Sequence, residues 1–141
     1  MSPPPERSNI AEMNSSIQRA SVLVVDDEDG VCRALDLLLH RAGYAVTTAR
    51  TGSAAKALLA IRGVDCLVID YRLPDVRGDV VFAYAIAHQP HLARATVFIT
   101  GDITDRARDA IDDTGCPMVL KPFDAAVLLD RIAEQLAAGQ R

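Results

Sequence analysis

The chain lacks paired cysteines, basic runs and any apolar stretch of membrane length. Cys32, Cys66 and Cys116 are far apart and form neither a CxxC pair nor a His/Cys ligand spacing. That excludes a disulfide framework and a zinc module, and it fits a reducing compartment. No lysine or arginine run stands out and the net charge is −4, which argues against direct contact with nucleic acid. No apolar run could span a bilayer, and the opening Met1-Ser-Pro-Pro-Pro5 has no signal-peptide core. The sequence therefore predicts no membrane insertion and a cytoplasmic location.

What is present is an ordinary globular composition. Half of the 141 residues are hydrophobic and 24% are charged, enough for one core in one domain. The proline run marks residues 1–20 as a flexible N-terminal tail, although Ile10, Met13 and Ile17 have the spacing of a short amphipathic helix. The folded domain is expected over 21–138, with a short C-terminal tail over 139–141 and no further domain after it.

From Val22 the pattern alternates. Strands are predicted over 22–26, 44–48, 66–70, 96–100 and 118–121, the first a continuous, valine-rich apolar run. Helices are predicted over 30–41, 54–61, 78–88 and 104–113, and after a capping Asp124. Their apolar faces are Val31, Leu35, Leu38 and Leu39 in the first, Val81, Ala85 and Ile86 in the third, and Val127, Leu128, Ile132 and Leu136 in the last. This alternation gives a doubly wound α/β sandwich whose strand C-termini share one edge.

Charge collects at that edge. Asp26 and Asp27 end the first strand, Asp70 the third, Thr100 the fourth and Lys121 the fifth. Adjacent carboxylates repel unless a cation lies between them, and an all-oxygen set suits Mg²⁺, with Mn²⁺ as a substitute. An ordinary acidic helix start explains Asp26 and Asp27 taken alone, but not together with Asp70 and Lys121. Asp70 can attack phosphorus to give an acyl phosphate. Lys121, the Thr100 hydroxyl and the Gly101 N–H can neutralise the phosphoryl oxygens.

Together, Val22-Leu-Val-Val-Asp26-Asp27-Glu28, Asp70-Tyr-Arg-Leu-Pro-Asp75 with Gly78, Thr100-Gly-Asp102 and Lys121-Pro-Phe123 resemble the motif set of the response-regulator receiver domain. The resemblance runs from about Val22 to Leu136. It implies a (βα)5 flavodoxin-like sandwich with a five-stranded parallel sheet in the order 2-1-3-4-5. It implies that Asp70 is the phosphoacceptor, taking its group from a phosphohistidine on a sensor histidine kinase or a histidine phosphotransfer protein. Mg²⁺ would be held by Asp27 and Asp70 directly, by Asp26 through water and by the backbone carbonyl of Arg72. Thr100 and Lys121 would contact the phosphoryl oxygens, and the Lys121–Pro122 peptide would be cis. Output would pass to a downstream protein target or to a phosphorylation-dependent homodimer, through the face around the fifth strand.

The chain departs from that pattern at Met118, where many receivers carry a Tyr or Phe that rotates inward with the switch threonine. Thr100 and Met118 are therefore the switch positions to watch. The Thr-Gly-Asp…Lys-Pro stretch is similar to receivers attached to hybrid histidine kinases. Arg72, two residues after Asp70, is expected to modulate hydrolysis of the acyl phosphate through its side chain. Tyr71 and Arg77 read as solvated loop residues, and His40, His88 and His91 as surface residues. Two other functions compete. One is a haloacid-dehalogenase-like Mg²⁺-dependent phosphatase, an enzyme, whereas a receiver catalyses only its own phosphorylation and dephosphorylation. The other is a receiver-like adaptor that no longer takes phosphate.

Overall fold

Apolar side chains at consecutive positions leave a strand no polar face, so such a run needs cover on both sides. The protein supplies it in the computed structural model, which describes residues 19–140. Strands β1 (Ser21–Val25), β2 (Ala45–Ala49), β3 (Cys66–Asp70), β4 (Thr96–Thr100) and β5 (Met118–Leu120) form one sheet in the order β2-β1-β3-β4-β5. Every pairing is parallel. The helices are α1 (Asp29–Arg41), α2 (Gly52–Ile61), α3 (Gly78–His88), α4 (Asp105–Thr114) and α5 (Ala125–Gly139). The fold class and strand order are those expected.

Two cores follow from the alternation of side chains. Leu35 and Leu39 of α1 and Leu128, Ile132 and Leu136 of α5 pack with Val22, Val24, Val68, Val97 and Ile99. Ala55, Leu59, Val81, Phe82, Ala107 and Ile111, from α2, α3 and α4, pack with Leu23, Leu67, Ile69 and Phe98. Each fully buried aliphatic side chain contributes about 1.5–3 kcal/mol.

Some expectations shift. A 3₁₀ turn over Pro90–Arg94 precedes β4 and was not expected. Val127 is 41% exposed, because the buried stripe of α5 runs i, i+4, i+8 through Leu128, Ile132 and Leu136. Gly139, expected in the tail, is helical, and its missing Cβ lets it close on Ala95. Ala20, also expected in a tail, accepts a hydrogen bond from Ala45 N. Residues 1–18 of that tail, with the Ile10, Met13 and Ile17 spacing, lie outside the described residues. Tyr71 is buried rather than solvated, its ring sitting in the α2/α3/α4 core. His91 is half-buried and its Nε2 lies 2.6 Å from Val64 O, while His40 and His88 are exposed. Cys32, Cys66 and Cys116 are free and buried. Burial pushes the Cys66 thiol up to about 12, which leaves it inert.

Candidate functional site

Three strand ends are built alike. A short polar side chain that closes a strand can accept a hydrogen bond from the backbone N–H two residues on, which fixes its rotamer. Asp26 Oδ1 accepts from Glu28 N at 2.9 Å, Asp70 Oδ1 from Arg72 N at 3.2 Å and Thr100 Oγ1 from Asp102 N at 2.9 Å. Parallel register then sets these ends side by side, with Val25 opposite Ile69 and Asp70 opposite Ile99.

Gly78 fixes the loop that follows Asp70. A Cβ there would lie 2.4 Å from Asp70 O and 2.9 Å from Tyr71 Cα. Its N–H donates to Tyr71 O at 2.6 Å, so α3 begins directly against the Asp70 backbone. Asp75, in the same loop, accepts from Gly52 N at 2.8 Å and Ser53 N at 2.9 Å. The two N–H groups at the start of α2 hold its carboxyl below the ordinary range.

The carboxylates of Asp26, Asp27 and Asp70 offer ligand atoms that all lie within 4.8 Å of one another. Asp26 is fully buried, Asp70 is 5% exposed and Asp27 is exposed. Lys121, brought in by β5 and the cis Lys121–Pro122 peptide, bridges the two buried acids. Its Nζ lies 2.7 Å from Asp26 Oδ2 and donates to Asp70 Oδ2 at 2.8 Å, with Glu28 Oε1 at 3.4 Å. Lys121 is the partner that Asp26 Oδ2 has in this corner. Burial raises the Asp70 carboxyl above its ordinary value, against the opposing pull of Lys121. Burial disfavours the Lys121 ammonium, but the Asp26 and Asp70 carboxylates outweigh it and the net shift is upward.

Asp27, Glu28, Asp70 and Lys121 line an open cleft of about 530 Å³, together with Thr100, Gly101 and Arg72. Thr100 is fully buried. Met118 is half-buried, opposite Phe98 in the sheet, and packs on the α2/α3/α4 core. Three carboxylates that offer only oxygen, converging within 4.8 Å, fit a hard cation such as Mg²⁺. The Arg72 side chain meets Asp102, its Nε donating to Asp102 Oδ2.

The whole of this arrangement lies within one family match. The model of the response regulator receiver domain matches residues 22–133. The chain belongs to the response-regulator receiver family.

Relatives of this receiver are consistent with that. It is 29% identical over 126 residues to the alginate biosynthesis transcriptional regulatory protein AlgB of Pseudomonas aeruginosa, covering 89% of the chain and 28% of that protein. It is 31% identical over 117 residues to the transcriptional regulatory protein GlrR of Escherichia coli, covering 83% of the chain and 26% of that protein. The receiver thus spans about a quarter of the length of these relatives. The crystal structure of the signal receiver domain of an HD domain-containing protein from Pseudomonas fluorescens aligns with a TM-score of 0.80 at 26% identity, over 86% of this chain and 98% of that one. As a receiver, the protein is a phosphoacceptor domain of two-component signalling; a phosphatase of the haloacid-dehalogenase type is not favoured. No helix among the described residues is long and apolar enough to cross a membrane.

Sequence reasoning missed the part Asp102 plays in the receiver. Its side chain is 4% exposed although it lies in a loop. Thr104 and Arg72 hold its carboxyl below the ordinary range, Thr104 contributing most. The pattern Asp-x-Thr before a helix was the available signal for the Thr104 contact; nothing local signals the contact with Arg72.

Proposed function

We propose that Asp70 accepts the phosphoryl group, from a phosphohistidine on a sensor histidine kinase or histidine phosphotransfer protein. One observation supports this most: the buried Asp70 carboxylate, its pKa raised by burial, sits 2.8 Å from Lys121 Nζ, and that same ammonium lies 2.7 Å from the buried Asp26 carboxylate. An Asp70 carboxylate oxygen attacks phosphorus. The bond from phosphorus to the histidine nitrogen breaks, its electron pair stays on nitrogen, and an acyl phosphate remains.

Asp27 and Asp70 would hold Mg²⁺ directly, Asp26 through water and Arg72 by its carbonyl; Mn²⁺ has the same oxygen preference. When bound, the ion offsets the negative charge of the carboxylates and phosphoryl oxygens. Lys121 leaves Asp26 and follows the phosphoryl oxygens, Thr100 donates its hydroxyl hydrogen to one of them, and Gly101 N–H serves as a second donor. The domain catalyses only its own phosphorylation and dephosphorylation. It works in the reducing cytoplasm, a reading supported by three free, buried thiols. Its output reaches a downstream protein target or a second copy of the chain.

The test is stoichiometry. A phosphorylated histidine phosphotransfer protein with Mg²⁺ transfers one phosphoryl group per chain, and phosphate esters are not turned over. Continuous phosphate release from an ester such as p-nitrophenyl phosphate would overturn the reading.

A further inference from the structure

Met118 leaves this chain without a ring or hydroxyl on β5 to register where Thr100 stands. A different set of groups touches Thr100. Its Oγ1 accepts from Asp102 N at 2.9 Å. The Asp102 carboxylate then splits: Oδ1 accepts from Thr104 N at 2.9 Å, and Oδ2 accepts from Arg72 Nε. Thr104 is the N-cap of α4, its Oγ1 accepting from Ala107 N at 3.3 Å and its carbonyl from Arg108 N at 3.0 Å. Arg72 returns to the site, its own N–H donating to Asp70 Oδ1 at 3.2 Å. The hydrogen bonds thus run in a chain from Asp70 through Arg72 and Asp102 to Thr100, with one branch to the first turn of α4.

The geometry points to Asp102 as a positioning residue that carries the phosphorylation state of Asp70 to the amino end of α4, through Thr100 on one side and Arg72 on the other. The inference rests on the phosphoacceptor reading of Asp70. A phosphoryl group on Asp70 acts on both ends of this chain of contacts. When Thr100 donates its hydroxyl hydrogen to a phosphoryl oxygen, Oγ1 becomes a stronger acceptor, because linked hydrogen bonds polarise one another. Asp102 N–H is drawn toward it. The Arg72 guanidinium, mostly exposed at the cleft mouth, then has a second anion to satisfy besides Asp102. Either change moves the Asp102 carboxylate, and that carboxylate holds the Thr104 backbone. The α4 end can respond because the helix buries only Ala107 and Ile111.

The experiment uses the isotope-labelled full chain with Mg²⁺ and acetyl phosphate, with the phosphoryl load read by intact mass in the same samples. In the wild type, the amides of Ala107 and Arg108 and the Arg72 Nε–H change chemical shift between unloaded and loaded states. In Asp102→Ala, where Thr104 Oγ1 is still present to cap Ala107, the load is kept but the shift change at Ala107 and Arg108 is lost. Asp102→Asn retains an oxygen for Thr104 N without a charge for Arg72, so it restores the change at Ala107 and loses it at Arg72 Nε–H. A residue that merely caps α4 would alter both states equally. A full loaded-minus-unloaded change at Ala107 and Arg108 in loaded Asp102→Ala would therefore overturn the proposal. Absence of added mass on the wild type would instead overturn the phosphoacceptor reading, and this inference with it.

Discussion

Lys121 stands between two buried carboxylates, and its removal leaves both without a counter-charge. Breaking a buried ion pair from one side costs on the order of 3–5 kcal/mol, mostly the penalty of the stranded charge. Lys121→Met should lower metal-free stability by about that much in urea denaturation, since its side chain is only 13% exposed. Added Mg²⁺ should restore part of the loss by binding the folded state, which thermal melts with and without the ion would check. Asp26, Asp70 and Lys121 were legible in the sequence because each is a charge that ends an apolar run, and such a run fixes the direction of the strand. Asp102 was not, because its partner Arg72 is 30 residues away and meets it only across two loops. Tyr71 was misread for a related reason. A loop position after Asp70 looks solvated until Gly78 draws α3 against it and closes the ring into the core.

At the scale of elements, the loop from Asp70 to Gly78 holds both the site and two helix starts. Gly78→Ala would drive a Cβ into backbone atoms that cannot move without moving Asp70. A loss of roughly 1–3 kcal/mol is expected from such overpacking, read as a lower urea midpoint. Asp75 gives a pH signature. Its carboxyl is held below the ordinary range by the Gly52 and Ser53 N–H groups, so the unfolded chain takes up its proton at a higher pH than the folded one. The stabilisation is full above the ordinary aspartate value and is lost as pH falls through the depressed folded value. Thermal melts of Asp75→Ala should therefore lie below those of the wild type at neutral pH and converge with them in acid. The elements themselves were largely readable, because continuous apolar strands and capped helices alternate with short loops. Thr51, Thr104 and Asp124 all cap the helices they precede. The 3₁₀ turn over Pro90–Arg94 was not readable, since its one buried apolar residue, Leu92, has no periodic partner in the sequence.

For the molecule as a whole, stability is uneven in a way that suits a signalling domain. α1 and α5 each bury three residues, and α4 buries two small or medium ones on an otherwise polar surface. Hydrogen exchange should therefore run faster in α4 than in α1 or α5. Strand order and sheet edge followed from the alternation and the resemblance together, whereas the tie between α4 and the site runs through side chains far apart in sequence, Arg72 and Asp102, that only the fold brings together. The central claim is that Asp70 is the phosphoacceptor of a Mg²⁺-dependent site. Intact-protein mass after incubation with acetyl phosphate tests it most directly, run on the wild type with and without Mg²⁺ and on Asp70→Asn. The account predicts one added phosphoryl group on the wild type with Mg²⁺, and none on Asp70→Asn or without the ion. A phosphoryl group retained in Asp70→Asn, or no adduct on the wild type, would contradict it.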